Sequence, residues 1–362
     1  MYSFTLTDKF LSKEEQYIFE DQLKYYGLDN EVWEVFASLF KSTVKYTQPL
    51  LLRVFQDSEL YGAIIITKCS KYGKALFSNR FLSGLINFFG IPYFQWIKFG
   101  CCMDMMSNPG FVKDPEKADL VFKAAIHYLK NKGIITIITD YSENSVLYDR
   151  ASILPALPQA LIDCSKFSSV QDYMDNYKNL KRKLKVFDIK GGKFIRIDQS
   201  LDSEKLPYLE KCFISTANQS IFYLPYQDLY LNAALTTSIT KIKNAVYFIA
   251  TLNGELLGYQ AALKTGQYLN ALHGAFDRSR KTTYHAYDIL FVKMVEFAIE
   301  EGLKIIDFGA VLNYTKQKMV NKTVDISYYL IGRNSFIQWL FNILLKFTKI
   351  QSNKQLQFKE VI

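Results

Sequence analysis

The sequence is poor in the residues that build metal and disulfide centres. It has three histidines in 362 residues, no CxxC and no Cys/His cluster, so a zinc site is not expected. Its five cysteines (Cys69, Cys101, Cys102, Cys164 and Cys212) are odd in number and stand at no paired spacing. Adjacent Cys101 and Cys102 cannot readily bridge each other. Reduced, mostly buried thiols in a cytoplasmic protein are therefore expected. The opening residues MYSFTLTDKFLSKEEQ place acidic groups where a signal peptide needs an apolar run, so secretion is not expected. No apolar run reaches the roughly 18–20 residues of a membrane span. There is no GxGxxG, no Walker lysine motif and no GxSxG, which argues against a dinucleotide fold, a P-loop ATPase and a serine-hydrolase elbow. Low-complexity segments and long structureless linkers are absent as well.

What is present is ample apolar material: 49% hydrophobic residues, with 25 Tyr and 28 Phe. That content excludes a disordered chain, and the length favours two domains, 1–160 and 161–362. The net charge of +9 suits an acidic partner (nucleotide phosphates, RNA or an anionic membrane surface) or simply a soluble basic surface. Two segments are strongly apolar. Phe81–Phe99 is broken by Gly90 and Pro92; Phe336–Phe347, FIQWLFNILLKF, has Arg333 before it and Lys346 and Lys349 in its last turns. Both are expected to be packed core, with a membrane-surface role as the alternative.

The chain reads as two related halves. KEEQYIFEDQLKYYG predicts a helix ending at Gly27, and NEVWEVFASLFKS a second one with Asn30 as N-cap. A hairpin turning at Asp57-Ser58-Glu59 follows, then PYFQWIKFG as a β-rich run. DPEKADLVFKAAIHYLKNKG predicts a helix opened by Asp114-Pro115 and closed by Gly133, with the strand IITIITDY next. The second half repeats the outline with a hairpin turning at Asn253-Gly254, a helix closed by Gly302 and the strand LKIIDFGA. FQDSELYGAIIITK aligns with TLNGELLGYQAALK, and HYLKNKGIITIITDY with EFAIEEGLKIIDFGA. One insertion in the first half, between hairpin and helix, reconciles the spacing. The joint lies near Leu154–Pro158, followed by a basic helix containing Lys181, Arg182, Lys183 and Lys185 that ends at Gly191-Gly192.

The segment Tyr268–Met319 concentrates the chemistry. It reads as strand, basic loop, long helix, strand and polar loop. Arg278, Arg280 and Lys281 precede the helix, with Thr282 and Thr283 as natural N-caps and His285 in its first turn. Cations, exposed N–H groups and the helix dipole together suit a pyrophosphate; a solvated loop is the plainer alternative. The first-half counterpart, MMSNPGFVKDPEKAD, has no such basic cluster.

This order resembles the GNAT acyltransferase superfamily, in particular its double-domain branch of FemABX-like and CelD (BcsL)-type proteins. The likeness is carried by FSSVQDYMDNYKNLKRKLK (Phe167–Lys185), by YHAYDIL from Tyr284, by EEGLKIIDFG (Glu300–Gly309) and by NYTKQKM (Asn313–Met319). It implies an α/β protein of two tandem GNAT-like domains, each a mixed central sheet flanked by helices, with the donor in a cleft where two strands splay. No tightly bound cofactor is implied; acyl-CoA or aminoacyl-tRNA would be a co-substrate, contacted by Arg278, Arg280, Lys281, Thr283, Tyr284 and His285. Where acetyl-CoA enzymes usually carry a glycine-rich loop, this chain has RSRKTTYHAY. Acyl-CoA, acyl carrier protein and aminoacyl-tRNA therefore all stay open as donors.

The resemblance also implies direct attack by an amine on a thioester or ester. A backbone N–H on the strand Asn270–Ala275 would hold the oxyanion, Asp307 would act as base and Tyr314 would protonate the leaving group. His273 would lie near the splay, Lys316 would pair with an acidic acceptor, and Trp96 would line an acceptor pocket shaped by the first half. Partners would be a small-molecule, lipid or glycan amine, with tRNA and peripheral membrane contact possible, in the cytoplasm or at the inner face of the membrane. A non-catalytic scaffold on a degenerate GNAT pair, and an RNA-binding protein led by KNLKRKLK, are the competing classes.

Overall fold

A computed structural model describes residues 2–25, 30, 32–41, 47–69, 93–96, 110–133, 135–140, 152–155, 159–177, 179–198, 207, 209, 245–277, 285–309, 318–324 and 327–343 of the chain. The first half contains strands β1 (Tyr2–Thr7), β2 (Thr47–Gln56), β3 (Glu59–Cys69), β4 (Tyr93–Trp96), β5 (Gly110–Val112), β6 (Ile135–Asp140) and β7 (Ser152–Pro155). Its helices are α1 (Lys13–Tyr17), α2 (Glu20–Tyr25), α3 (Val32–Lys41) and α4 (Ala118–Lys132). The first half ends with β8 (Gln159–Asp163); the second runs α5 (Val170–Asn176), α6 (Leu180–Ile189), β9 (Gly192–Ile197), β10 (Ala245–Leu252), β11 (Glu255–Thr265) and β12 (Tyr268–Phe276). It continues with α7 (Ala286–Glu300), β13 (Ile305–Asp307), β14 (Lys322–Val324) and β15 (Ser327–Gly332).

These strands form two sheets of the same plan. The first has the order β1-β2-β3-β4-β6-β15-β7, with β5 also pairing β3; the second has β9-β10-β11-β12-β13-β8-β14. Position by position the orders match, except that each half lends the other one strand. β15, from the end of the chain, lies between β6 and β7 of the first sheet. β8 lies between β13 and β14 of the second. The stretch Leu154–Pro158, read from the sequence as a plain joint, therefore leads from β7 to a strand of the other sheet.

The duplication holds at the level of register. Gly62 faces Val54 and Gly258 faces Ala250, and in each hairpin a bulge follows at once. Both hairpins turn through two residues of left-handed backbone, Asp57-Ser58 (φ 51° and 69°) and Asn253-Gly254 (φ 51° and 82°). This geometry matches the twist of the flanking strands. The parallel pair Tyr93↔Ile135 corresponds to Tyr268↔Ile305. The insertion in the first half is divided in two. Residues 70–92 separate β3 from β4, where only Gly266 and Gln267 separate β11 from β12. Residues 97–109 then separate β4 from β5, at the level where β12 runs through Leu272 and His273 without interruption.

Alternation along the strands sorts the core into layers. Leu50, Leu52, Val54, Ile64 and Ile66 face α4 through Val121, Phe122, Ala125 and Leu129. Val246, Phe248, Ala250 and Leu257 face α7 through Ile289, Leu290, Val292 and Met294. The inner faces share one core: Leu51, Ala63 and Ile65 of the first sheet join Tyr247, Ile249, Ala261 and Leu263 of the second, with Phe19, Trp33 and Phe36 from the N-terminal helices. The two halves are thus welded by apolar burial, at roughly 25 cal/mol per Å².

Local expectations fare unevenly. The N-terminal helix is two short ones, α1 and α2. Ser12 and Glu15 close a capping box on α1, while Glu15 also accepts from Arg53 Nε at 2.7 Å. Asn30 donates through Nδ2 to Glu20 Oε1 at 3.3 Å, and its carbonyl accepts from the Trp33 N–H at 3.1 Å. β1 was not anticipated, although YSFTLT alternates in the required way. The segment from Phe336, expected as packed core, forms a helix over 335–343 that buries Phe341 but exposes Phe336, Trp339 and Leu340. Phe81–Phe99 lies outside the described residues except for 93–96.

Candidate active site

The candidate site is built where β12 and β13 part. The two strands run parallel and pair over Tyr268↔Ile305, Leu269↔Ile306 and Asn270↔Asp307. β12 then continues for six residues, to Phe276, beyond the last of these pairs. On its other side a bulge shifts the register at this level: Ala271 faces Ala262 while His273 faces Ala261, leaving Leu272 as the extra residue. A bulge re-aims the backbone amides next to it. This is the strand on which an oxyanion donor was expected, and its pairing with β13 ends at Asn270↔Asp307, where β13 itself ends.

Two walls of the splay have different chemistry. Leu269, Ala271, Ile306 and Phe308 point into the α7 core. By alternation Asn270 and Asp307 point the other way, toward the first half. Asp307 is 4% exposed. Its Oδ1 accepts from the Gly309 N–H at 2.7 Å. Its Oδ2 accepts from Gln159 Nε2, a residue of the exchanged strand β8. Asn270, fully buried, donates through Nδ2 to the Leu263 carbonyl at 3.4 Å and to Thr265 Oγ1. Gln159, Asn270, Thr265 and Asp307 thus form a polar group within a largely apolar sheet. Polar residues in such a place are retained only when hydrogen-bonded or functional.

The other component is the N-terminus of α7. The helix begins at Ala286, so its N-cap is His285, not Thr282 or Thr283. His285 has left-handed backbone (φ 56°) and makes no side-chain cap, so the first-turn N–H groups receive no acceptor from it. Lys183 of α6 reaches Asp288 Oδ1 at 2.6 Å, and His285 Nδ1 lies 3.9 Å from Asp288 Oδ2. Burial holds the His285 imidazole below its ordinary value; Lys183 and Arg182 push the same way and Asp288 opposes them. The positive end of the helix dipole falls here, where the first-turn Asp288 carboxylate already takes the Lys183 ammonium. At the far end α7 closes as expected, with Gly302 at φ 67° and the Leu303 N–H donating to the Ala298 carbonyl at 2.8 Å.

Asp307 lies opposite Asn270, three residues before His273 on β12, and the end of β12 meets the start of α7, where the Phe276 and Tyr287 rings lie 4.9 Å apart. Arg278, Arg280, Lys281, Thr283, Tyr284, Tyr314 and Lys316 lie outside the described residues. Of Trp96 the backbone is placed, in β4 opposite Ile66. Sequence reasoning missed Gln159, Asn270, the Leu272 bulge and the Lys183–Asp288 pair. Cys164 is buried, and burial pushes its thiol up to about 12, which makes it an inert core residue.

The comparisons with known proteins agree with this geometry. Residues 175–316 match the family model described as an acetyltransferase (GNAT) domain. The second half of the chain is therefore similar to a GNAT acetyltransferase domain, and the whole has the fold seen in double-domain GNAT proteins. A structure of L-PGS from Bacillus licheniformis is similar over 94% of this chain and 96% of its own, with a TM-score of 0.54 at 13% identity. A tandem GNAT protein from the clavulanic acid biosynthesis pathway is similar over 92% and 99%, with a TM-score of 0.51 at 10% identity. FemX is similar over 94% and 100%, with a TM-score of 0.50 at 12% identity. At these identities the likeness is one of fold. A comparison of the sequence with curated proteins gives no match.

Proposed function

We propose that this protein is an N-acyltransferase, moving an acyl or aminoacyl group from a CoA-type or tRNA-type donor directly to an amine acceptor in the synthesis of cell-envelope, lipid or glycan precursors. The observation that carries this reading is the run of β12 beyond its last pair with β13 to the N-terminus of α7, which His285 does not cap with its side chain. The donor's phosphates would lie at that N-terminus against Arg278, Arg280, Lys281 and the Thr283–His285 segment. The reactive carbonyl would lie along the freed edge of β12, near His273, where a backbone N–H stabilises the developing oxyanion. The acceptor nitrogen attacks the carbonyl carbon, the C–S or C–O bond breaks, and the nitrogen's proton passes to Asp307, directly or through water. Tyr314 returns a proton to the leaving group, Lys316 pairs with an anionic acceptor, and no covalent enzyme intermediate forms. The first half, residues 1–160, would shape the acceptor side, with Trp96 in its pocket. The first-half sequence lacks a basic cluster before its helix, which supports a single donor site. A cytoplasmic location fits the reading; among the described residues no helix is long and apolar enough to cross a membrane.

Thermal-shift titration with CoA, acyl-CoAs and charged tRNA, followed by transfer assays on the donor that binds, tests the proposal. Arg280→Ala should weaken donor binding about tenfold, as expected for one lost charge-assisted contact. Tyr314→Phe should lower turnover with donor binding intact. Failure of every donor to bind would favour a scaffold role. Intact transfer in both variants, with loss on substitution near Asp140, would reverse the assignment of the halves.

A further inference from the structure

The helix over 335–343 has its polar and apolar sides inverted. It is well anchored. Asn334 caps it, accepting from the Ile337 N–H at 2.9 Å. Its inward side is held to the first sheet by polar groups: Gln338 Oε1 accepts from the Gly332 N–H at 2.8 Å, and Gln338 Nε2 donates to the Leu330 carbonyl at 3.2 Å and to Ser152 Oγ. Ser152 in turn donates to Asn342 Oδ1. Only Phe341 adds a buried apolar anchor on this helix. The outward side carries Phe336, Trp339 and Leu340, 67%, 56% and 40% exposed. Their spacing of three and four residues places them on one face, and the rings of Phe336 and Trp339 stack at 5.9 Å. A surface helix ordinarily points such a stripe at the core and its amides at water.

The charge of the sequence that carries this helix has one sign. Arg333, at the head of the helix, is exposed. From Ile326 through Lys359 the sequence contains no Asp or Glu but carries Arg333, Lys346, Lys349, Lys354 and Lys359. A protein surface made to pair with this stripe would need both apolar area and acidic groups. An anionic bilayer offers the two together, and Trp and Phe rings flanked by cations are what its interface selects. We propose that this face docks on the surface of an anionic lipid bilayer, with Phe336, Trp339 and Leu340 entering the headgroup–acyl boundary and Arg333 facing the headgroups. The inference does not rest on acyl transfer, so either proposal can fail alone.

The test uses the full chain with vesicles of phosphatidylcholine alone and of phosphatidylcholine mixed with phosphatidylglycerol. The protein should sediment with the anionic vesicles, less so at high salt, and its tryptophan emission should shift to the blue. The double variant F336S/W339S should lose binding by about tenfold or more, since affinity scales with the apolar area inserted. Its thermal midpoint should stay unchanged. Trp339→Phe should retain binding and lose most of the emission shift. Absence of binding to anionic vesicles, or undiminished binding by the double variant, overturns the proposal. So does a concentration-dependent dimer that the double variant dissolves, which would assign the face to a second copy. A lowered thermal midpoint in the double variant would show the stripe to be covered by the chain itself, and equally overturns it.

Discussion

At the scale of single residues, the two hairpin turns provide a controlled comparison within one molecule. Ser58 and Gly254 occupy equivalent positions with left-handed backbone, φ 69° and 82°. A side chain in that conformation costs about 1 kcal/mol or more, which glycine avoids. Ser58→Gly should therefore raise the thermal midpoint, whereas Gly254→Ser should lower it, and calorimetry on the pair checks both signs. Asp307 presents the opposite case. Its carboxylate holds the Gly309 N–H and the Gln159 amide in a buried place. Asp307→Ala should cost about 1–3 kcal/mol by orphaning both donors. Asp307→Asn is the variant to assay for transfer, since it keeps the volume and one acceptor. His285 adds a pH dependence. Its folded pKa lies below the ordinary 6.5, chiefly through burial, so the unfolded chain binds the proton more readily. The stability of the neutral form is full above that value and is lost as pH falls through it toward the folded pKa. Thermal midpoints recorded from about pH 7 to about pH 5 should fall more steeply in the wild type than in His285→Asn, because asparagine accepts left-handed backbone and does not titrate.

At the scale of elements, α6 and α7 act as one unit. Lys183–Asp288 is a short ion pair with both partners mostly withdrawn from water, so removing one strands the other. Asp288→Ala should destabilise the second half more than Lys183→Met, whose stem can still cover the apolar surface. Chemical denaturation of the two variants decides the order. The N-terminus of α7 illustrates what a sequence leaves hidden. Thr282-Thr283 was a sound cap by residue type, but the helix starts at Ala286 and uses His285 in a conformation that histidine adopts rarely. The bulge at Leu272 is similarly silent, because Leu272 and His273 read as ordinary strand residues. Only the pairing with Ala261 and Ala262 shows that one of them is extra.

At the scale of the whole molecule, the exchange of β8 and β15 decides how the chain can be divided. A cut at the Leu157–Pro158 joint would give a first fragment whose β6 and β7 lack the strand between them, and a second fragment carrying that strand as an unpaired edge. Neither fragment should fold alone. Co-expression of the two should restore a soluble complex, and size-exclusion chromatography of each alone and of both together checks it. Two independently stable fragments would show that the exchange is dispensable.

The sequence by itself determined the repeated plan. The equivalent hairpins, the helix–Gly–strand units and the basic loop before α7 are local patterns of turn chemistry and hydrophobic period, which neighbours in the chain dictate. Tertiary structure alone decided which sheet β8 and β15 enter and that Asp307 is held by a residue 148 positions away. It also decided that the apolar stripe at Phe336 faces outward, because Gln338 and Asn342 found partners on the sheet. Those outcomes depend on competition between distant surfaces for the same hydrogen bonds and apolar area. Periodicity, which records only that a face is apolar, does not encode which surface wins.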